Sequence, residues 1–336
     1  MAEASGAAWA GWIAVYFAIG LVGTWLARGY ALRHRLIDHP GERRSHDVAT
    51  PRGGGIAIVA AFLVAIGCLI LRDPGHAPLL SAIALGFVLV AGIGWADDHR
   101  PRSQWSRLAV QGAAAMLLAW GVWHEGGGAL AITCAFVAAM VLVNVWNFMD
   151  GIDGLAVSQA LLVALGYGML AGRGTVGLLA FALAAACLGF LPFNLPKARI
   201  FLGDVGSGAL GYALAALGMW LALRDWSQAP ALLLPLSAFL IDASLTLAAR
   251  MARRQRWWLP HTEHAYQHWA RRIHRHGPVA LAYAGWTLVA IVFMVAAGTA
   301  GSAFMMLTLV ATCLGGWLAW AWLRKAPRRT GRGNRE

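Results

Sequence analysis

The chain has 336 residues, 59% of them hydrophobic and only 12% charged, with a mean hydropathy of +0.61 and a formal net charge of +12. Soluble domains carry about 25% charged residues, so a water-soluble globular enzyme is excluded. The excess of positive charge raises nucleic-acid binding as a function, and the placement of the cations decides against it.

Apolar stretches long enough, or nearly so, to span a hydrocarbon core occur at about 9–31, 54–71, 79–95, 107–123, 129–148, 156–171, 175–192, 207–223, 230–249, 279–298 and 301–323. They predict an all-α, polytopic integral-membrane protein of eleven transmembrane helices, with ten as the alternative because several stretches are short. Threading eleven spans from an outside N-terminus leaves Arg72, Arg173 and Arg224 outside. The other 24 of the 27 Lys and Arg fall in alternate loops, at their edges or in the C-terminal tail. This is the positive-inside pattern; it predicts a cytoplasmic C-terminus and accounts for the basic charge without nucleic acid. The first segment has no positive n-region, its only early charge being Glu3, and its core is too long for a cleaved signal, so it reads as a retained span. Cys68, Cys134, Cys187 and Cys313 all fall within spans and read as small buried apolar residues. Without a soluble domain or internal repeat, residues 1–336 read as one integral-membrane domain.

The predicted cytoplasmic loops, at about 32–53, 96–106, 148–155, 193–206 and 250–278, hold the chemistry. The first carries Arg43, Arg44 and Arg52, and the last Arg253, Arg254 and Arg256, cations suited to a polyanionic substrate or to lipid headgroups. Asp97 and Asp98 follow the C-terminal end of the third predicted helix, and Asp150 and Asp153 that of the fifth. A helix macrodipole disfavours carboxylates there, so something positive must compensate.

In "NVWNFMDGIDGL", residues 144–155, Asn144, Asn147, Asp150 and Asp153 recur every third residue, which keeps them near one slowly rotating helix face. Gly151 and Gly154 end the helix and let backbone approach a ligand. Such an oxygen-rich set suits Mg²⁺, which keeps few protein ligands and takes the rest from water and phosphate; Mn²⁺ is the alternative. Capping alone needs only one polar side chain. "FLGDVGSG", 201–208, opens the eighth helix, whose N-terminal N–H groups favour an anion. Asp204 there either caps the helix or holds a metal against a phosphate. Asp242 lies eight residues before Arg250, roughly 12 Å up the ninth helix at about 1.5 Å per residue. It is a candidate for function by its depth, or else a buried carboxyl bonded to a neighbouring helix. "HTEHAYQHWARRIHRH", 261–276, contains His261, Glu263, His264 and Gln267. With no cysteine nearby, zinc fits this stretch less well than phosphate or sugar recognition.

Five of these stretches, "HDVATPRGGGIAI", "DDHRP", "NVWNFMDGIDGL", "FLGDVGSG" and "PHTEHAYQH", occur in order from about residue 46 to 276. Together they resemble the polyprenyl-phosphate N-acetylhexosamine-1-phosphate transferases, of glycosyltransferase family 4 type. That family includes phospho-N-acetylmuramoyl-pentapeptide transferase and the bacterial enzymes that start O-antigen and enterobacterial common antigen. The resemblance implies transfer of an N-acetylhexosamine-1-phosphate from a UDP-sugar to undecaprenyl or another polyprenyl phosphate, releasing UMP. It further implies dependence on Mg²⁺, a site at the cytoplasmic face of the bacterial inner membrane, and a place at the first membrane step of lipopolysaccharide O-antigen or other cell-envelope polysaccharide synthesis. By resemblance Asp204 is the metal-binding aspartate and Asn147 the asparagine beside it, Asp97 and Asp98 are paired near the lipid phosphate, and Asp150 and Asp153 lie around the nucleoside and diphosphate. Asp242 matches an aspartate of the family's ninth helix, and the histidine loop matches the segment that contacts the nucleotide-sugar.

The expected catalytic set is therefore Asp97, Asp98, Asp150, Asp153 and Asp204. Substrate is expected at Asn144, Asn147, Gly151, Arg52, Asp242, His261, Glu263, His264 and Gln267, with metal on Asp204 and Asn147. The partners are a UDP-N-acetylhexosamine, the polyprenyl phosphate and membrane lipid; a homodimer is left open. "HTEHAYQH" departs from the adjacent histidines of the muramoyl-pentapeptide enzymes and resembles the O-antigen-initiating branch, with the pentapeptide enzyme as the alternative. A secondary transporter is more remote, since transporter sites sit near the bilayer midplane between repeats.

Overall fold

The structure, a computed structural model, describes residues 6–38, 48–256, 259 and 261–325. The expected cations Arg43 and Arg44 lie outside the described residues. Within them the chain runs through α1 (Gly6–Arg33), a minimal antiparallel ribbon of β1 (Ile37–Asp38) and β2 (Thr50–Pro51), α2 (Ile56–Arg72), α3 (Ala77–His99) and α4 (Gln104–His124). It continues through α5 (Ala129–Phe148), α6 (Leu155–Ala171), α7 (Thr175–Asn194), α8 (Asp204–Arg224) and α9 (Ser237–Ala252). The last elements are α10 (Ala265–Ile273), α11 (Gly277–Ala300) and α12 (Ser302–Lys325).

The all-α polytopic architecture follows from apolar length. Among the described residues seven helices are long and apolar enough to cross a bilayer, or eight if the 3₁₀ turn Trp226–Leu233 and α9 form one span bent by 70°. Pro230 and Pro235 lie in and just after that turn, and prolines cannot continue an α-helical hydrogen-bond ladder. α2 and α6 are shorter apolar helices of 17 residues each. α4 carries Arg107 and Gln111 on a 21-residue helix and is not among the seven. Every stretch expected to span is mainly helical, the ninth being broken by a turn at 234–236, but the count of eleven exceeds what length and apolarity alone support.

α8 is the axis of the bundle: 94% of its apolar window is buried, against 22% for α1 and 17% for α12. Its sequence, rich in Gly and Ala, has small side chains on every face, so α2, α3, α5, α6 and α7 all reach it. Close approach is strict where α3 meets the start of α8. A Cβ on Gly94 would overlap the Asp204 carbonyl.

Two local features differ from expectation. The loop expected over 250–278 contains the nine-residue helix α10, whose Ala265, Tyr266, Gln267 and Ala270 are buried while Arg271 and Arg272 are exposed. The segment after β2 runs beside the entrance to α8: Phe201 N donates to Pro51 O (2.8 Å), Gly54 N to Phe201 O (3.0 Å) and Gly55 N to Leu202 O (2.9 Å). Arg52 is thereby carried to the N-terminus of α8.

Candidate active site

The site is built around that N-terminus. Gly203 precedes α8 at φ +76, a left-handed conformation that side chains disfavour, and a Cβ there would press on the Asp98 carboxylate. Asp98, at the end of α3 and 4% exposed, accepts hydrogen bonds from Asp204 N and Val205 N, both at 3.1 Å. It thus satisfies two of the orphan donors of α8 from another helix. Asp204 itself is not the cap. Arg52 holds Asp98 from the far side, donating to its carbonyl and placing Nε 3.9 Å from its carboxylate.

Asp204 is the hub of the polar network. Asn147 donates from Nδ2 to Asp204 Oδ1 (3.0 Å) and to Ser207 Oγ (3.2 Å). Arg107 Nη1 reaches Asp204 Oδ2 at 3.2 Å and Asp97 Oδ2 at 3.1 Å, and Arg102 N donates to Asp97 Oδ1 at 2.5 Å. The compensating charge required by Asp97 and Asp98 at the C-terminal end of α3 is therefore Arg52, Arg107 and the α8 N-terminus. Arg107 and Ser207 were missed by the sequence reading; the signal for Arg107 was the unpaired charge itself, with an arginine ten residues beyond Asp97 in a helical hairpin.

Between these elements lies a polar cavity of about 260 Å³, lined among others by Arg52, Asp98, Asp150, Gly151, Asp153, Asp204 and Gln267. No described residue donates a hydrogen bond to the Asp150 carboxyl. Burial, then the charges of Asp204, Asp98 and Asp153, raise its pKa well above the usual carboxylate range. Asp153 is tied down: its Oδ2 accepts from Lys197 N (3.0 Å) and Ala198 N (3.3 Å) and lies 3.3 Å from His276 Nδ1. Gly151 sits beneath Tyr266, whose hydroxyl a Cβ would displace.

The other expected residues point elsewhere. Asn144 donates to Gln111 Oε1 (2.9 Å) and to Met140 O (2.8 Å), facing α4. Asp242, 3% exposed, accepts from Ala265 N (2.8 Å), Tyr266 N (3.1 Å), Thr246 Oγ1 (3.2 Å) and Tyr283 Oη (2.8 Å). It caps α10 as Asp98 caps α8. Tyr266, so positioned, donates to the last carbonyl of α5, that of Phe148, at 2.9 Å. Glu263 pairs with Arg250, Arg253 and Arg324. His264 is 3% exposed and stacks between His261 and Phe148, with ring centroids at 4.9 and 6.1 Å. Burial, then the charges of His264 and Arg250, hold the His261 pKa down to about 4. Of this loop, Gln267 and His276 line the cavity.

Among the described residues no three His, Cys, Asp or Glu side chains converge as a ready-made metal cage. Mg²⁺ does not require one, since it takes one or two carboxylates and completes its octahedron with water and phosphate. The donors here fit that habit: Asp204 beside the Asn147 amide, with the Asp150 carboxyl enclosed among like charges and receiving no hydrogen bond.

The sequence pattern of glycosyl transferase family 4 matches residues 80–222, from α3 through α8. A phospho-N-acetylmuramoyl-pentapeptide-transferase of Heliobacterium modesticaldum is 30% identical over 234 residues, 60% of this chain and 71% of that relative. The chain belongs to glycosyl transferase family 4. A decaprenyl-phosphate N-acetylglucosaminephosphotransferase of Mycobacterium tuberculosis is 33% identical over 234 residues, 61% of this chain and 57% of the relative. A phospho-N-acetylmuramoyl-pentapeptide-transferase of Moorella thermoacetica is 35% identical over 206 residues, 52% of this chain and 63% of the relative. The chain thus spans less than two thirds of the length of the mycobacterial relative. Within family 4, identity does not separate the two transferase types. The matched region holds Asp97, Asp98, Asn147, Asp150, Asp153 and Asp204, and leaves α9 to α12 outside it.

Proposed function

We propose that this membrane protein transfers an N-acetylhexosamine-1-phosphate from a UDP-sugar to a polyprenyl phosphate, releasing UMP. The observation that carries the reading is the acidic cavity against the N-terminus of α8, where carboxylates meet helix N–H groups and two arginines. Negative charge crowded beside anion-favouring donors suits a divalent cation and a diphosphate held together. A phosphate monoester has its second pKa near about 6, so the lipid phosphate is largely ionised at neutral pH and its attack needs little help from a base. Charge repulsion is then the main barrier, as in other phosphoryl transfers. Asp204 and Asn147 would hold Mg²⁺, which would supply the neutralising charge. Arg107 orients Asp204 and Asp97, Asp98 fixes the α8 donors, Arg52 offers a cation at the cavity wall, and Asp150 faces the diphosphate.

The site reads as cytoplasmic by the distribution of positive residues, in the bacterial inner membrane. For the donor, "HTEHAYQH" favours a UDP-N-acetylhexosamine of the O-antigen-initiating type over the muramoyl-pentapeptide. The assay is UMP release by the purified chain in detergent with Mg²⁺ and polyprenyl phosphate, comparing UDP-N-acetylglucosamine with UDP-N-acetylmuramoyl-pentapeptide. Release with the first and its loss on chelation support the proposal. Release only with the pentapeptide donor would move the protein to the other branch, and no release with any UDP-N-acetylsugar would end the proposal.

A further inference from the structure

A second charged cluster joins the C-terminal ends of α9 and α12 to the segment that leads into α10. Glu263 accepts a hydrogen bond from Arg250 Nη1 and lies 3.8 Å from Arg253 Nη1 and 3.7 Å from Arg324 Nη2. Three guanidinium groups therefore share one carboxylate. The nearest other acid, Asp242, is already occupied by four hydrogen bonds at α10 and its neighbours. Arg250 also donates to the Arg256 carbonyl at 3.2 Å, and Arg324 lies over the Trp320 ring at 4.7 Å. These contacts orient both groups but do not saturate them. The buried Arg250 Nε and Arg324 Nη1 have no hydrogen-bond partner among the described residues.

A buried cationic donor without an acceptor is costly, and native structures rarely tolerate two in one place unless an ion or ligand completes them. The side chains of Arg250 and Arg324 are 9% and 11% exposed and that of Arg253 is 60% exposed, so the cluster has a closed floor and one open arm. Guanidinium forks match the oxygens of a phosphate. The level in the membrane says where such a phosphate comes from. α12 is long and apolar enough to cross a bilayer, and its exposed Trp317 and Trp322 lie toward the same end of that helix as Arg324, where an aromatic belt meets headgroups.

We propose that Arg250, Arg253 and Arg324 form a binding site for the phosphate of an anionic phospholipid headgroup. The bound lipid completes a clamp that fastens α9 and α12 to residues 261–264 and, through α10, to Gln267 at the cavity wall. This site lies outside the acidic cavity and does not depend on which sugar donor is used.

The test is native mass spectrometry of the full-length protein in mixed micelles of phosphatidylglycerol and phosphatidylethanolamine. Wild type should retain phosphatidylglycerol preferentially. Each basic residue at a membrane surface contributes about 1 kcal/mol, so Arg253→Gln and Arg324→Gln should each cut that retention about fivefold. Arg253 is mostly exposed, so its loss places no demand on folding; Arg324→Lys, which keeps the charge without the fork, should fall between wild type and Arg324→Gln. Millimolar inorganic phosphate or UMP should not displace the lipid. Displacement by either would make the ligand a soluble phosphate and overturn the headgroup assignment. Equal retention by wild type and both Gln variants would overturn the site.

Discussion

Asp98→Asn separates the two roles open to the second aspartate of the pair. In the structure its carboxylate accepts two backbone N–H groups at 3.1 Å and is paired with Arg52 at 3.9 Å, at 4% exposure. An amide has one acceptor oxygen, so the variant keeps one bond and turns an NH₂ group toward the other N–H. Losing a hydrogen bond to a charged group costs about 1.5–3 kcal/mol, and losing the anion at a partly buried helix N-terminus about 1–2 kcal/mol. Burying a neutral amide in place of a carboxylate offsets part of this, leaving a loss of about 2–4 kcal/mol. At about 2 °C per kcal/mol for a chain of this size, Tm should fall by about 4–8 °C. The measurement is thermal unfolding of metal-free protein in detergent at a fixed scan rate, because membrane proteins often unfold irreversibly. Asp97→Asn is the control: its side chain touches Arg102 N and Arg107 but no α8 backbone donor, so its Tm should fall less. An Asp98→Asn protein that melts within about 1 °C of wild type, yet has lost transfer, would refute the capping argument and assign Asp98 to the substrate alone.

Asp204→Asn should abolish UMP release at all Mg²⁺ concentrations with little change in Tm, since the amide can still bond Asn147 but ligates the cation poorly; near wild-type activity at limiting Mg²⁺ would move the metal elsewhere. Burial and three carboxylates raise the Asp150 pKa, so its contribution to stability is complete below the unfolded carboxylate pKa of about 4 and is lost as pH rises through the raised value. Metal-free Asp150→Asn should therefore melt above wild type near pH 8, with the gap closing as pH falls; a gap independent of pH would remove the electrostatic account. Gln267→Ala should change the kcat/KM ratio between two UDP-N-acetylsugars, because Gln267 lines the cavity, whereas Glu263→Ala, in the arginine cluster, should mainly lower Tm; the reverse pattern would return Glu263 to the donor. In a cysteine-free background, Arg102→Cys should resist an impermeant thiol reagent in intact cells and Gly174→Cys should react, both positions being exposed; labelling of Arg102→Cys before lysis would invert the topology.

What could be read from sequence followed from how lipid constrains a chain. An apolar run in hydrocarbon has to be a helix, so the all-α polytopic class is legible while the number of spans is not; the bend before α9 blurs because one continuous run conceals a 70° break at its prolines. Asn147, Asp150 and Asp204 were legible as polar residues with no apolar reason to be there, on a three-residue spacing and beside a glycine turn. Asn144 shared the spacing but not the destination, since rotation of α5 turns it to Gln111. α10 stayed hidden because nine residues with a buried face of Ala265, Tyr266, Gln267 and Ala270 carry too little apolar signal to separate them from a loop.

Partners distant in sequence are not visible from any one stretch of the chain. Asp98 looked misplaced because only the dipole of its own helix was counted. α3 and α8 pack as neighbours, and the C-terminal end of the first meets the N-terminal end of the second, so a carboxylate that α3 repels is one that α8 attracts. The bonds to Asp204 N and Val205 N, more than a hundred positions away, realise that attraction. Asp242, inside α9, stands in the same relation to Ala265 and Tyr266 at the start of α10. A buried aspartate in a helical membrane protein therefore has to be weighed first as the cap of a neighbouring helix. Only the carboxylates left without such a helix, as Asp150 is, press for a ligand from outside the chain.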